Sequence, residues 1–180
     1  MTLLLACCDD PDKLIPSNSN LGKPTFMIEL GKVVPDFKAD ATGDQIIQLK
    51  KLRGQNVVIY FYPKDNTPGC TRESQEFRDL SGKFKKANTV ILGVSRDSLK
   101  SHDKFREKQA LNFDLLSDGD EKLCQAFDVI KEKNMYGRKV MGIERSTFLI
   151  DAKGKLHAQW RKVRVPGHVE AVLEAAQELS

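Results

Sequence analysis

An α/β domain with a mixed central sheet and helices on its faces is the fold class this sequence predicts. Three observations carry that expectation: short, strongly apolar strand-like runs such as Val57–Tyr62, amphipathic helical stretches between them, and a late pair of strand-like segments joined by a tight turn. A chain of 180 residues, 40% of them hydrophobic, suits one sizeable core rather than two. No run approaches the roughly 18 consecutive apolar residues that a membrane-spanning helix needs, so a soluble protein that does not engage membranes is expected.

Residues 1–26 carry three prolines, a polar Ser/Asn stretch and no hydrophobic period, which predicts a disordered tail ahead of a domain over 27–180. Leu4-Leu5-Ala6-Cys7 looks like the end of a lipoprotein signal. Only six residues precede Cys7, however, and none is basic, so the match reads as accidental. A second reading takes Met27 as the true start, with the tail an over-extended beginning.

From Ile28 the elements follow in order. A turn at Ala41–Asp44 leads into a strand near Gln45–Leu49 and then the apolar strand Asn56–Tyr62. Thr67, Pro68, Gly69 and Cys70 read as N-cap, N1, N2 and N3 of a helix, with Phe77, Leu80 and Phe84 following at helical spacing. Next come strand Thr89–Ser95, helix Ser98–Ala110, strand Phe113–Leu116 and a short helix Glu121–Phe127. Strand Arg145–Asp151, a turn at Ala152–Gly154, strand Lys155–Arg161 and a closing helix Val169–Leu179 complete the chain. Strands alternating with helices, then a strand pair, then a helix is the order of a thioredoxin-like sheet with parallel and antiparallel parts.

The net charge of +4 is spread through alternating acids and bases. The clusters Lys83/Lys85/Lys86 and Arg161/Lys162/Arg164 read as solvated faces without interleaved aromatics, which argues against a nucleic-acid partner. Four cysteines stand at 7, 8, 70 and 124, with no CxxC and no Cys/His spacing for zinc. Neither a metal, a cofactor nor a secreted disulfide framework is expected, and a reducing cytoplasm fits this usage.

Cys70 is the candidate reactive group. A thiol near its reference pKa of about 8.5 is only a few per cent thiolate at neutral pH, and the thiolate is the nucleophile. A place in the first turn of a helix puts the sulfur near unpaired N–H groups and the positive end of the dipole, worth at most about 2 kcal/mol. A fixed cation is implied besides. Arg145, at the start of the apolar strand Arg145–Ile150, is the best-placed one, because an arginine inside a sheet needs a partner. The residues also admit plainer readings: Thr67-Pro68 as a simple helix cap, Cys70 as a small buried hydrophobe, Arg145 as a surface residue at a strand end. His102, His157 and His168 are isolated in sequence and none is assigned to catalysis; His168 is placed near the cap of the last helix.

Pro63-x-x-x-Thr67-x-x-Cys70, with Glu73 and then Gly142-Ile-Glu-Arg145-Ser-Thr-Phe-Leu-Ile-Asp151, resembles a peroxiredoxin, in particular the peroxiredoxin Q or bacterioferritin comigratory protein subfamily. Leu115-Leu-Ser-Asp118 and Lys133-Asn-Met-Tyr-Gly137 extend the resemblance, which runs from about Leu30 to the end. It implies a thiol-dependent peroxidase in which Cys70 attacks the terminal oxygen of a peroxide and becomes a sulfenic acid. It further implies that Pro63 shields the cysteine and that Thr67 orients the peroxide. Arg145 would hold sulfur and peroxide, and Glu73 would position the arginine. The subfamily also suggests a monomer.

The chain departs from that pattern at one place. Many members carry a resolving cysteine five residues after the peroxidatic one, where this chain has Gln75. Cys124 is the remaining cysteine of the domain and the candidate for resolution, although its flanking Leu123 and Phe127 also suit a core filler; Cys7 or Cys8, reaching through the tail, is the other candidate. The expectation is a one-cysteine cycle with thioredoxin, glutaredoxin or a small thiol as reductant. The competing function is a peroxide sensor that passes oxidation to a partner. A disulfide oxidoreductase lacks its CxxC, and a cysteine hydrolase lacks a paired His-Asp/Asn arrangement.

Overall fold

The structure, a computed structural model, describes residues 28–135 and 137–179. The expectations for residues 1–26, with Cys7 and Cys8, lie outside the described residues. Two short strands, β1 (Lys38–Ala41) and β2 (Gln45–Gln48), and a 3-10 turn over Leu49–Leu52 lead to β3 (Asn56–Phe61). There follow α1 (Pro68–Lys86), β4 (Thr89–Ser95), α2 (Leu99–Lys108), β5 (Asp114–Ser117) and α3 (Lys122–Ala126). A hairpin of β6 (Ile130–Met135) and β7 (Arg138–Ile143) precedes β8 (Ser146–Ile150), β9 (Leu156–Trp160) and α4 (His168–Gln177). Seven strands form one sheet in the order β2-β1-β5-β4-β3-β8-β9, parallel across β5-β4-β3 and antiparallel at its other pairings. This is the α/β, thioredoxin-like architecture of a mixed sheet flanked by helices. Among the described residues no helix is long and apolar enough to cross a membrane.

All six residues of β3 are buried, as a strand covered on both faces requires. Val57, Ile59 and Phe61 face one core with Phe37, Leu123, Cys124, Phe127 and Phe148. Val58, Tyr60 and Tyr62 face the other, with Cys70, Phe77 and Phe84 of the α1 side, Phe105 of α2 and Val169 and Val172 of α4. The sheet therefore divides the interior into two compartments, with Cys70 in one and Cys124 in the other.

The strand register places the chemistry. Phe61 pairs with Ser146, so Arg145, just before β8, lies at the carboxyl end of β3 where the chain turns into α1. Tyr60 docks that helix: its ring stacks on Phe77 at 4.6 Å and its hydroxyl lies 3.0 Å from Ser74 Oγ.

Several boundaries differ from the sequence reading. Arg145 precedes its strand rather than opening it. The 113–116 strand begins and ends one residue later, and Leu49 starts the 3-10 turn. Ser98 is the cap of α2, its Oγ accepting from Ser101 N–H, and the helix stops before Ala110, which has φ 50°. The last helix opens one residue earlier, at His168 after the left-handed Gly167 (φ 75°), and closes at Gln177. Strand β1 and the β6–β7 hairpin were not anticipated as strands; β7 is exposed along most of its length, so the apolar alternation that signals a half-buried strand is absent. Arg161 also departs from the expected solvated face. It is half-buried, its guanidinium 4.8 Å from the Phe148 ring centre, and it donates to the Asp128 carbonyl.

Gly93 of β4 pairs with both Tyr60 and Leu115. A Cβ there would lie 2.7 Å from Tyr60 Oη and 2.7 Å from Leu115 Cδ2, in the layer that docks α1. Gly93→Ala is expected to lower the unfolding free energy by about 2 kcal/mol, seen as a reduced urea midpoint at unchanged slope.

Candidate active site

The site is built where β3 ends and α1 begins. Thr67 caps the helix with extended backbone (φ −83°, ψ 148°) and Pro68 occupies the first helical position, where its missing N–H costs nothing. Cys70 falls in the first turn, whose N–H groups have no intrahelical acceptors, and its side chain is 1% exposed. Thr67 does not cap with its side chain. Its hydroxyl instead donates to the Lys64 carbonyl at 3.1 Å.

Arg145 reaches into this turn and forks. Nη2 donates to Cys70 Sγ at 3.2 Å, and Nη1 donates to Glu73 Oε2. Glu73 follows Cys70 by three residues, so both project from one face of α1 toward the same guanidinium. A Cβ on Gly69 would lie 3.3 Å from Arg145 Nη2, so the glycine gives the guanidinium room over the first turn. Pro63 stands half-buried after Tyr62. Of the residues singled out in the sequence, Cys70, Glu73 and Arg145 are in direct contact, Thr67 and Pro63 belong to the same loop and helix start, and Cys124 is on the far side of the sheet.

Electrostatics follow from burial. Burial opposes the charge of Arg145, but the charges of Glu73 and Cys70 and its bonds to both raise its pKa and keep it protonated. Glu73 is fully buried, with Oε1 unpartnered, and burial pushes its carboxyl up to about 7 against the pull of Arg145. His168, hydrogen-bonded through Nε2 to Thr147 Oγ1 at 2.8 Å, is pushed down to about 4 by burial and by the Arg145 charge; it is neutral at physiological pH.

Cys124 presents the opposite case. Asp118 accepts from the N–H groups of Leu123 and Cys124 at 3.0 and 2.7 Å, and burial together with that carboxylate drives the Cys124 thiol far up. A thiol so protonated is a poor nucleophile.

Sequence reasoning passed over Lys133 as a residue of the site. Its ammonium donates to the Ile143 carbonyl, two residues before Arg145, and burial followed by the Arg145 charge lowers its pKa. Its signal was a lysine alternating into a hairpin with little apolar patterning. Among the described residues no cluster of three or more His, Cys, Asp or Glu side chains is arranged to hold a metal.

A cysteine in the first turn of a helix, with an arginine on its sulfur, on a thioredoxin-like sheet defines a thiol-redox class of protein. The sequence pattern of the AhpC/TSA family matches residues 30–159. Peroxiredoxin Bcp of Xanthomonas campestris pv. campestris is 55% identical over 149 residues, spanning 83% of this chain and 93% of the relative. Peroxiredoxin Bcp of Bacillus subtilis is 47% identical over 153 residues, spanning 85% and 98%. A solved structure of Xanthomonas campestris peroxiredoxin Q superposes with a TM-score of 0.76 at 56% identity, over 78% of this chain and 89% of that one. The bacterioferritin comigratory protein of the same organism, solved as trapped intermediate and ligand complexes, has alkyl peroxide reduction activity; it is 55% identical with a TM-score of 0.75, over 78% of this chain and 90% of its own. The chain belongs to the AhpC/TSA family, within its Bcp/peroxiredoxin Q peroxiredoxins, and is a thiol-dependent peroxidase.

The raised carboxyl of Glu73 has a sign that stability measurements read. Between pH 4.5 and about 7 Glu73 holds a proton in the folded protein that it has lost in the unfolded chain, so its contribution to stability falls as pH rises through that window and is level above it. Glu73→Gln removes this fall. Relative to the parent, the variant is expected to gain about 3 kcal/mol of unfolding free energy across the window, measured by urea unfolding at its two ends. A difference that stays constant with pH is inconsistent with a buried ionising carboxyl.

Proposed function

We propose that Cys70 is the peroxidatic cysteine of a one-cysteine peroxidase that reduces hydrogen peroxide and organic hydroperoxides in the cytoplasm as a monomer. The observation that carries this reading is the single guanidinium shared between Cys70 Sγ and Glu73. It puts a cation on the sulfur and beside the place where charge develops as the O–O bond breaks.

In the proposed cycle the Cys70 thiolate gives an electron pair to the terminal oxygen of the peroxide. An S–O bond forms, the O–O bond breaks, and the hydroxyl stays on sulfur as a sulfenic acid. The leaving hydroxide or alkoxide takes a proton from solvent. Arg145 holds sulfur and peroxide, Thr67 orients the peroxide, Pro63 limits water at the sulfur, and Glu73 fixes the arginine. The N–H groups of Gly69 and Cys70 face the oxygens. No cofactor is required.

Reduction of the sulfenic acid falls to an external thiol. Position 75 is Gln75, whose amide donates to the Gln109 side-chain oxygen, and Cys124 is shut in the opposite core with its thiol held protonated. A thiol from thioredoxin, glutaredoxin or a small molecule attacks the sulfenic sulfur and releases water. A second thiol then frees Cys70 and leaves as the reductant's disulfide.

Cys70→Ser is expected to abolish the fast phase of peroxide consumption in stopped flow, and Cys124→Ser to leave it intact. Non-reducing mass spectrometry after one equivalent of peroxide should find sulfenic acid on Cys70; a stoichiometric Cys70–Cys124 linkage rejects the one-cysteine cycle. Steady-state turnover beyond one peroxide per protein separates the enzyme from a sensor.

Arg145→Lys keeps the charge but loses the fork. It is expected to slow peroxide reduction about 100-fold, as removing an aligned donor does in other oxyanion sites. An unchanged rate would show that the guanidinium geometry plays no part.

A further inference from the structure

Beneath the loop that joins β3 to α1 lies a buried polar cluster that the chemistry above does not use. Asp65 is 4% exposed, and its carboxylate accepts from Tyr62 Oη at 2.8 Å and Ser101 Oγ at 2.7 Å, with His102 Nδ1 2.9 Å away. His102 is fully buried, and its Nε2 lies 3.1 Å from the Leu116 carbonyl. Burial resists the charge on Asp65, but the bond and charge of His102 and the two hydroxyl donors overcome it and lower its pKa. The two side chains form a buried hydrogen-bonded pair that fastens the loop to α2.

The backbone of the loop is fastened too. Asp65 N–H donates to Asp97 Oδ2 at 2.8 Å, and Ser95 Oγ donates to the same oxygen at 2.7 Å. The amide N–H of Asp65 and the carbonyl of Lys64 belong to one planar, trans peptide unit, so they point in opposite directions. Holding the N–H on Asp97 thereby aims the Lys64 carbonyl, and that carbonyl takes the Thr67 hydroxyl hydrogen. A hydroxyl has one hydrogen to give. With it committed to Lys64, Thr67 Oγ1 offers a ligand only its lone pairs, which suits the O–H of a hydroperoxide.

We infer that Asp97 and the His102–Asp65 pair are positioning residues for peroxide reduction: they set the Lys64–Asp65 peptide so that Thr67 accepts the hydroperoxide O–H beside Cys70. This rests on the reading of Thr67 as the residue that orients the peroxide. None of the three touches the reacting atoms; each acts through the peptide plane and the threonine.

The test uses the full chain and two reactions of Cys70: reduction of hydrogen peroxide, which passes through Thr67, and alkylation by iodoacetamide, which does not. Asp97→Ala is expected to lower the second-order rate constant for peroxide about tenfold, the effect of one misdirected hydrogen bond, with the alkylation rate unchanged. Asp97→Asn, whose amide oxygen still accepts the Asp65 N–H, should restore most of the loss. Ser101→Ala removes one donor to Asp65 and supplies a second, milder variant in case Asp97→Ala does not fold; its expected loss is about threefold, again without effect on alkylation. In a Thr67→Val background Asp97→Ala should add nothing further. If Thr67→Val alone leaves the peroxide rate unchanged, the reading of Thr67 fails and this inference with it. If Thr67→Val slows the reaction while Asp97→Ala and Ser101→Ala do not, the inference alone is overturned. It is likewise overturned if the losses multiply, or if alkylation slows in step with peroxide reduction.

Discussion

The guanidinium of Arg145, forked between the Cys70 sulfur and the Glu73 carboxylate, is the interaction on which the rest of the site depends. A helix end alone is too weak to make a thiol a nucleophile, and a mobile cation would spend much of its time in water. Three features of the fold keep the arginine in place. The β3–β8 register delivers it to the carboxyl end of β3, Gly69 leaves space over the first turn of α1, and Glu73 binds its second nitrogen. The cost is visible in Glu73, a carboxyl forced into the interior with one oxygen unpartnered and its pKa raised. Burying a charge in this way is poor for stability unless geometry is gained in return, and here the geometry is that of the reactive sulfur.

A second constraint comes from the sheet itself. Because alternate residues of β3 feed different cores, each face of the sheet is a closed compartment about one side-chain layer deep. Cys70 shares its face with Tyr60, Tyr62 and Phe77, and Cys124 is packed with Phe37 and Phe127 on the other. The two sulfurs are therefore separated by a packed layer of backbone and side chains rather than by a loop that folding could swing aside. The proposal that an outside thiol reduces the oxidised sulfur rests on this partition and on the glutamine at the short-range resolving position.

The active-site loop shows how polar groups serve the same end as packing. Asp65 and His102 are the sort of buried polar side chains that a core of apolar residues would avoid, yet both carboxyl oxygens and both ring nitrogens have partners. Such a fully satisfied cluster holds one arrangement firmly, and the loop it holds carries the threonine and the proline that flank the reactive turn.

How much of this could be read along the chain depends on the range of the interaction concerned. Local signals were plain: the apolar run of β3, the Thr67-Pro68 start of α1 with Cys70 in its first turn, and the helical spacing of Phe77 and Phe84 all reflect backbone and burial preferences that a few neighbouring residues express. The motif around Cys70 and the segment carrying Arg145 were enough to indicate the chemistry and the family. The β6–β7 hairpin gives little signal because β7 is exposed along most of its length and shows no apolar alternation. The same holds for Asp65, Asp97, His102 and Lys133, whose partners lie on other elements and whose residue types look like ordinary surface polarity. The sequence by itself determined the fold class and the helix that carries Cys70 in its first turn, since these follow from short-range pattern. Only the tertiary structure decided how the Arg145 guanidinium is shared between Cys70 and Glu73, which face hides Cys124 and what steadies the loop, because strand order and register bring together residues that no local rule relates.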